Sequence, residues 1–325
     1  MRLAVRVSEI VNLFVTGGTG FVGRQVVDAA TLVGWLSVFQ SRLKNERANS
    51  FVMPKIDSES DWSSVLNDVD VVVHCAARVH QMNESLTPEE TLATYLETNT
   101  LGTLNLAKQA ADAGVKRFIF ISSIKVNGEY TLENEAFNIS AQPSPCDSYG
   151  VSKYEAEVGL REIAEKTGMD VVIIRPPLVY GPGVKANFLA MMNLVQKRIP
   201  LPFGAIRNRR SLVYIENLVS LVILCCEHPN AANKTFLVSD NDDVSTTRML
   251  NEIAKGMGRK SLLIPVPQKA IEFAAKLLGK SHIADRVCGN LQLDISDTMN
   301  TLAWKPPFSF EQGIQRTVSA YLASK

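Results

Sequence analysis

The stretch that decides the fold is NLFVTGGTGFVG, residues 12–23. Four apolar or β-branched residues at 13–16 have the pattern of a short buried strand. Glycines at 17, 18, 20 and 23 separate this strand from an apolar-rich run at 21–32, which predicts a helix. A strand that turns into a helix through glycines presents free backbone N–H groups to an anion. The stretch therefore predicts a binding site for the pyrophosphate of a dinucleotide.

Each glycine has a separate role in this prediction. Gly17 permits the tight turn, Gly20 lets the backbone approach the phosphates, and Gly23 lets the helix pack closely on the strand. The spacing is G-x-x-G-x-x-G rather than the G-x-G-x-x-G of the common dinucleotide fingerprint. Alone, the loop is weak evidence, because glycine turns between strands and helices are frequent.

Composition narrows the class of protein. The chain has 325 residues, of which 46% are hydrophobic, enough for a large buried core. A net charge of +1 gives no reason to expect nucleic acid or an anionic membrane as partner. Five cysteines without metal-ligand spacing, and no signal peptide, favour the reducing cytoplasm and predict no metal site.

Strand patterns alternate with helical patterns along the chain as far as residue 175. The predicted strands span residues 13–16, 36–40, 51–56, 69–75, 117–122 and 171–175. Such alternation predicts an α/β fold with a doubly wound parallel sheet of the Rossmann type. We expect a dinucleotide-binding domain at 11–177 plus about 211–240, and a smaller C-terminal substrate-binding domain at 178–210 plus about 241–325.

Tyr149 and Lys153 form a Y-x-x-x-K pattern at the start of a predicted helix. Residues four apart share a helix face, so both side chains can reach one point. A nearby ammonium group lowers the pKa of a phenol and fits it for proton transfer at a carbinol oxygen. Ser122 and Ser123 end the predicted strand FIFIS, where a hydroxyl can hold the same oxygen. A surface Tyr–Lys pair and a strand-end serine turn are the alternatives.

The order of these motifs resembles the extended short-chain dehydrogenase/reductase family, in particular its nucleotide-sugar branch. The matching segments are TGGTGFVG, HCAA at 74–77, the asparagine of TNTLGTLNL, FIFISS, YGVSK and RPPLVYGPG. The resemblance implies that Ser123, Tyr149 and Lys153 are catalytic. Ser123 is preferred over Ser122 because the family's hydroxyl lies three residues before the valine of a turn, here Val126.

The resemblance also implies binding residues. Those expected at the cofactor are Gly17, Thr19, Gly20, Phe21, Val22, Gly23, Ser41, Arg42, Asp57, Ala76, Ala77, Asn99, Ser122, Tyr149, Lys153 and Pro176. Those expected at the substrate, a UDP-sugar, are Arg78, Ser123, Leu178, Asn187, Phe188, Pro202, Arg210 and Arg286, with His80 also near the sugar. Arg210 is expected to grip the diphosphate, with Arg286 as a weaker second contact.

Departures from the family pattern refine these expectations. Ile124 and Lys125 stand where the family's 4,6-dehydratases have Asp-Glu, which argues against a dehydratase. Ser41 replaces the acidic residue that grips the ribose hydroxyls of NAD, and Arg42 follows it. A guanidinium suits a 2′-phosphate, so we expect NADP(H), with NAD(H) as the alternative. Leu178 replaces a substrate-contacting asparagine.

The expected function is redox chemistry at C4 of a UDP-hexose. The segments resemble dehydrogenases that form quinovosamine and fucosamine, so the favoured reaction is reduction of a UDP-4-keto-6-deoxy-N-acetylhexosamine for O-antigen synthesis. The alternative is a 4-epimerase of UDP-glucose or UDP-N-acetylglucosamine, which uses the same residues. A non-catalytic protein that senses the cofactor is a third hypothesis. By the same resemblance we expect a cytoplasmic homodimer.

Overall fold

The central sheet is built from parallel strands. The computed structural model describes residues 10–44, 46–79 and 87–325. Within these ranges the strands are β1 (Asn12–Thr16), β2 (Leu36–Ser41), β3 (Ser50–Val52), β4 (Val71–His74), β5 (Arg117–Ile121), β6 (Asp170–Arg175), β7 (Leu178–Tyr180), β8 (Leu212–Tyr214) and β9 (Thr235–Leu237). Seven of them form one sheet in the order β3-β2-β1-β4-β5-β6-β9, and β7 pairs with β8 apart from it. The predicted doubly wound Rossmann fold is confirmed.

Helices connect the strands and cover both faces of the sheet. They are α1 (Phe21–Leu32), α2 (Ser63–Leu66), α3 (Pro88–Tyr95), α4 (Gly102–Asp112), α5 (Ser148–Thr167), α6 (Ala186–Gln196), α7 (Ile215–Glu227), α8 (Thr246–Gly256), α9 (Gln268–Leu277), α10 (Ser281–Cys288), α11 (Ser296–Leu302) and α12 (Phe310–Ala323). None of the helices in the described ranges is long and apolar enough to span a membrane.

Alternate side chains of each strand enter two separate cores. On one face, Phe14 and Phe118 pack with residues of α2, α4 and α5. On the other face, Val15 and Ile119 pack with α1 and α7, and this core continues without a break into the C-terminal helices around Ile314. Strands covered on both faces are apolar throughout, as their sequences indicated. The division into two domains at the predicted boundaries stays a prediction.

The third strand is shorter than the pattern indicated. We predicted a strand at 51–56, whereas β3 ends at Val52. Met53 still donates its N–H to the carbonyl of Ser41 at 2.9 Å. Pro54 follows and has no N–H to donate, so the ladder stops there.

Arg117 ties the amino ends of two strands to the end of a helix. Its guanidinium donates to Asp170 at the start of β6 at 2.8 Å. It also donates to the carbonyls of Cys225 and Cys226 at 2.9 and 3.2 Å, and of His228 at 3.1 Å, where α7 ends. Carbonyls in the last turn of a helix lack partners within the helix, and a cation there also complements the helix dipole.

We predict that Arg117→Met lowers the free energy of unfolding by about 2–4 kcal/mol, because it leaves buried carbonyls without donors. Urea denaturation measures this change. The matched control is Lys116→Met at the neighbouring position, where an exposed lysine pairs with Asp70. An exposed ion pair contributes at most about 1 kcal/mol. Equal losses in the two variants would contradict the role assigned to Arg117.

Candidate active site

The glycine loop between β1 and α1 has no room for side chains at two of its glycines. Gly17 has a φ of +64°, and a Cβ there would lie 3.0 Å from the backbone of Ala76. A Cβ on Gly23 would lie 2.3 Å from the carbonyl oxygen of Gly17, so helix and loop meet at backbone contact. Gly20 is the N-cap of α1, and no side chain caps that helix. The loop and helix therefore fit the pyrophosphate of a dinucleotide.

Gln40 holds this loop from the neighbouring strand. Its side-chain oxygen accepts from the N–H of Gly17 at 2.8 Å, and its amide nitrogen donates to the carbonyl of Met53 at 2.7 Å. Gln40 is buried at the carboxyl end of β2. Sequence reasoning missed this residue, because a glutamine beside a predicted ribose-binding position carries no motif of its own.

The residues expected at the adenosine half have different surroundings. Ser41 is 2% exposed and donates its hydroxyl to the carbonyl of Leu43 at 2.7 Å. Arg42 next to it is exposed. Asp57 is buried and accepts from Lys55 at 2.7 Å, and that hydrogen bond is the main cause that lowers the pKa of the carboxyl. Of the three residues predicted here, Ser41, Arg42 and Asp57, Arg42 is the exposed one.

His74 supports the floor of the site as a neutral side chain. Its Nδ1 and Nε2 lie 2.7 and 2.9 Å from the hydroxyls of Thr16 and Thr103. Thr103 donates its only hydroxyl hydrogen to the carbonyl of Asn99, so it accepts from Nε2–H, and Nδ1 accepts from Thr16. Burial, then the charge of Lys153, lowers the His74 pKa to about 3.

Asn99 lies in a π-helical turn, Leu96–Leu101, between α3 and α4. Its side chain pins the backbone of Arg78, accepting from the N–H at 2.7 Å and donating to the carbonyl at 3.1 Å. It also donates to Ser152 on α5 at 3.0 Å. Wider turns of this kind often occur at functional sites. Asn99 therefore joins the segment after β4 to the helix that carries Tyr149.

Tyr149 lies in the first turn of α5, whose N-cap is Asp147. Its ring packs edge-on against buried Tyr95, with centroids 6.2 Å apart. Burial is the largest cause that raises the phenol's pKa above its ordinary value, followed by Asp147 and Tyr95, while the hydrogen bond with Ser123 opposes them. The structure thus places the Ser123 side chain next to Tyr149. No sequence motif predicted that Tyr95 packs against Tyr149.

Lys153 lies one turn after Tyr149 and is 1% exposed. Its ammonium donates to the carbonyl of Ile121 at 2.9 Å and lies 4.3 Å from the centre of the Phe120 ring. Burial lowers the Lys153 pKa to about 7, against the raising effects of Cys75 and Glu157. The lysine is therefore fixed to the end of β5 rather than bonded to the phenol.

A buried ion pair lies one turn deeper in α5. Glu157 accepts from the Ser122 hydroxyl at 2.6 Å and from Arg175 Nε at 2.8 Å. Arg175 also donates to Asn127 at 2.9 Å. Ser122 is thus directed into the interior, while Ser123 is the serine beside Tyr149. This arrangement supports the choice of Ser123.

The positions that differ from the dehydratase pattern hold no carboxylate. Ile124 is buried in the core beside the sheet. Lys125 forms ion pairs with Glu129, at 2.7 Å, and with Asp147. Neither of the two positions that directly follow Ser123 therefore carries an acid that could abstract a proton.

Other cofactor positions predicted from the sequence lie around the glycine loop and along the carboxyl edge of the sheet. They are Thr19, which is exposed, Phe21, Val22 and Ala77, which are half-buried, and Pro176, which is buried. The residues from 80 to 86 lie outside the described ranges, and the expectation for His80 falls among them. Among the described residues no cluster of three His, Cys, Asp or Glu side chains could hold a metal.

The other residues predicted to bind the substrate include both exposed and buried positions. Leu178 is 41% exposed on β7, and Asn187 and Pro202 are also exposed. Phe188 is fully buried, and its ring stacks on Tyr180 with centroids 5.4 Å apart. Phe188 could therefore contact a substrate through its backbone but not through its buried ring.

Arg210 and Arg286 lie side by side. One terminal nitrogen of Arg210 donates to the carbonyls of Arg286 and Gly289, both at 3.2 Å. Burial lowers the pKa of the half-buried Arg210 side chain, whereas Arg286 is exposed on α10. Arg210 and Arg286 therefore lie in one region of the structure, joined through the backbone carbonyl of Arg286.

This fold and this arrangement of residues define a dinucleotide-dependent enzyme of the extended short-chain dehydrogenase/reductase class. A model of the NAD dependent epimerase/dehydratase family matches residues 13–239, and the chain belongs to that family. It is 49% identical to UDP-glucose 4-epimerase of Vibrio cholerae over 96% of this chain and 95% of that protein.

Solved structures share the fold at lower identity. UDP-N-acetylglucosamine 4-epimerase from Bacillus cereus superposes with a TM-score of 0.79 at 20% identity, covering 97% of this chain and all of that one. UDP-glucuronic acid 4-epimerase from Bacillus cereus, in complex with NAD, gives a TM-score of 0.75 at 19% identity over 95% and 96% of the chains.

The favoured reductase function is wrong, because the relative at 49% identity over nearly the whole chain is a 4-epimerase. The specific resemblance to quinovosamine-forming dehydrogenases is not confirmed, and the NADP preference gains no support. The roles predicted for Ser123, Tyr149 and Lys153 are the same in either chemistry, so these residues did not discriminate between the two. The individual site assignments stay predictions.

We predict that the destabilisation caused by burying the charged form of Lys153 decreases as the pH rises above 7. The folded pKa of about 7 lies below the unfolded value of 10.5, so the unfolded chain binds more protons between these pH values. Stability relative to Lys153→Met should therefore rise with pH above 7, by at most about 1.4 kcal/mol per unit. Urea denaturation at pH 7.5 and 9 measures it, with the exposed Lys166→Met as control. A difference that does not change with pH would contradict the prediction.

Proposed function

We propose that the protein interconverts the C4 epimers of a UDP-linked hexose, with NAD as its redox cofactor. The observation that carries the proposal is the position of Ser123, directly after β5, next to Tyr149 in the first turn of α5. β5 and β1 are parallel strands of one sheet, so Ser123 and the glycine loop after β1 lie at the same edge of that sheet. The 49% identity to UDP-glucose 4-epimerase of Vibrio cholerae supports the same reaction. UDP-glucose and UDP-N-acetylglucosamine are the candidate substrates.

The chain's own residues account for the proton transfer. Tyr149 takes the proton from the C4 hydroxyl and returns it to the same oxygen, and Ser123 holds that oxygen by a hydrogen bond. Bound NAD supplies the hydride acceptor and donor, and its oxidised ring carries a positive charge. A positive charge near the phenol favours the phenolate and opposes the effect of burial.

Lys153 supports the proposed reaction through the place where its ammonium group is held. It is anchored to the carbonyl of Ile121, at the same strand end from which Ser123 projects. The pKa of about 7 leaves a substantial fraction of Lys153 charged at neutral pH. We assign it the cofactor ribose and the electrostatic support of Tyr149, one helical turn away.

The substrate diphosphate is assigned to Arg210 and Arg286. Guanidinium groups present paired N–H donors that match phosphate oxygens. Among the described contacts of Arg210, one nitrogen is engaged with the carbonyls of Arg286 and Gly289. Its remaining donors and the exposed Arg286 can therefore face an anion.

NAD, rather than NADP, is the proposed cofactor. The chain belongs to an NAD-dependent family. The Ser41 hydroxyl is buried and already donates to Leu43, so it is unavailable to a 2′-phosphate. Arg42 is an exposed side chain, and an exposed charge alone contributes little. The homodimer and the cytoplasmic location stay predictions.

We predict that the purified protein converts UDP-galactose to UDP-glucose without added cofactor, measured by chromatography of the nucleotide sugars. Tyr149→Phe should lower kcat by about 10²–10⁴, because it removes the proton-transferring group. Tyr154→Phe on the same helix is the matched control and should retain activity. Equal activity of parent and Tyr149→Phe would refute the role of Tyr149.

We predict that the dinucleotide released by denaturing the purified protein is NAD, identified by mass spectrometry. Gly23→Ala should lower the bound amount at least about tenfold, since its Cβ would meet the Gly17 carbonyl. Arg42→Ala should change it less than about twofold. Recovery of NADP, lost on Arg42→Ala, would overturn the cofactor assignment.

A further inference from the structure

Helix α9 exposes an apolar stripe to solvent. Phe273 is 64% exposed and Leu277 72%, and Leu278, at the end of the helix, is 71% exposed. Ala270 and Ala274 are exposed as well. Positions 270, 273, 274, 277 and 278 have the spacing of a single helix face. An amphipathic helix of a globular protein normally turns that face toward the core.

The same helix rests on the protein through a different face. Gln268, Ile271 and Ala275 are its half-buried residues, and no residue of α9 is fully buried. Gln268 donates to the carbonyl of Cys288 at the end of α10 at 3.3 Å. The helix is thus anchored by its inner face, and the apolar stripe points away from the protein.

Positive charge borders the stripe. Lys269, Lys276 and Lys280 are exposed, and Glu272 is the one acidic residue between 268 and 280. Among the described residues these lysines form no ion pair, and Glu272 accepts from Gln268 at 2.8 Å. Three lysines and one glutamate give this segment a charge of +2. The chain's overall charge of +1 conceals this local excess.

We propose that α9 binds the surface of an anionic lipid bilayer. Phe273, Leu277 and Leu278 would enter the boundary between headgroups and acyl chains, and the lysines would face the lipid phosphates. An apolar face flanked by lysines is the composition of helices that lie in such an interface. Each basic residue near an anionic membrane adds about 1 kcal/mol, or roughly a fivefold change in binding.

Charge favours a lipid surface over a second copy of the chain. A two-fold dimer through α9 would bring the same surface of both protomers together. Two segments of charge +2 would then face each other, and like charges repel. Anionic headgroups instead complement the lysines. Lipid binding is also independent of the proposed epimerase activity.

Flotation of the full-length protein with vesicles tests the proposal. We expect binding to vesicles of phosphatidylcholine with about one third phosphatidylglycerol, at least about tenfold weaker binding to phosphatidylcholine alone, and release at high salt. Phe273→Ser combined with Leu277→Ser should reduce binding at least about tenfold. Leu132→Ser is the matched control, because Leu132 is an apolar side chain 61% exposed elsewhere.

Folding of the variants is checked independently by the thermal midpoint and by epimerase activity in solution, both of which should equal the parent's. Absence of binding to the anionic vesicles would overturn the proposal, and so would equal binding of the parent and the Phe273/Leu277 variant. Light scattering that shows a dimer dissociated by the same substitutions would identify a second copy as the occupant and refute the lipid surface.

Discussion

The buried contact between Glu157 and Arg175 is the interaction on which the site depends. Glu157 belongs to α5, which carries Tyr149 and Lys153, and Arg175 ends β6. Through Ser122 and Asn127 the pair also holds both ends of the segment that presents Ser123. Removal of one partner would leave an uncompensated buried charge, at a cost of about 3–5 kcal/mol. Such a pair fixes a geometry more than it adds stability.

Burial shifts the pKa values of Tyr149 and Lys153, which both lie on α5, in opposite directions. Burial raises the pKa of Tyr149 and lowers that of Lys153, so both groups lose their preference for the charged form. A phenol that stays neutral cannot act as a base. In the proposed reaction, the positive charge of an oxidised cofactor would oppose the effect of burial on Tyr149.

The sequence predicted the sheet, the glycine loop and the neighbourhood of Ser123 and Tyr149, because strand periodicity and motif spacing are local signals. It could not predict that Gln40 supports the loop, since a single buried polar residue has no pattern around it. Phe188 shows that a motif can also mislead about where a side chain lies. A motif placed it at the substrate, but its ring lies in the core against Tyr180.

The choice between reductase and epimerase failed for a deeper reason. Both chemistries need a phenol and a hydroxyl at one oxygen, so the same residues serve each. They differ in whether the cofactor leaves after each turnover, which is a property of affinity distributed over the whole cradle. Gln40 holds the loop by a hydrogen bond to the N–H of Gly17, and neither Gly17 nor Gly23 has room for a side chain. A rigid, preorganised cradle loses less entropy on binding, which favours a cofactor retained through the catalytic cycle.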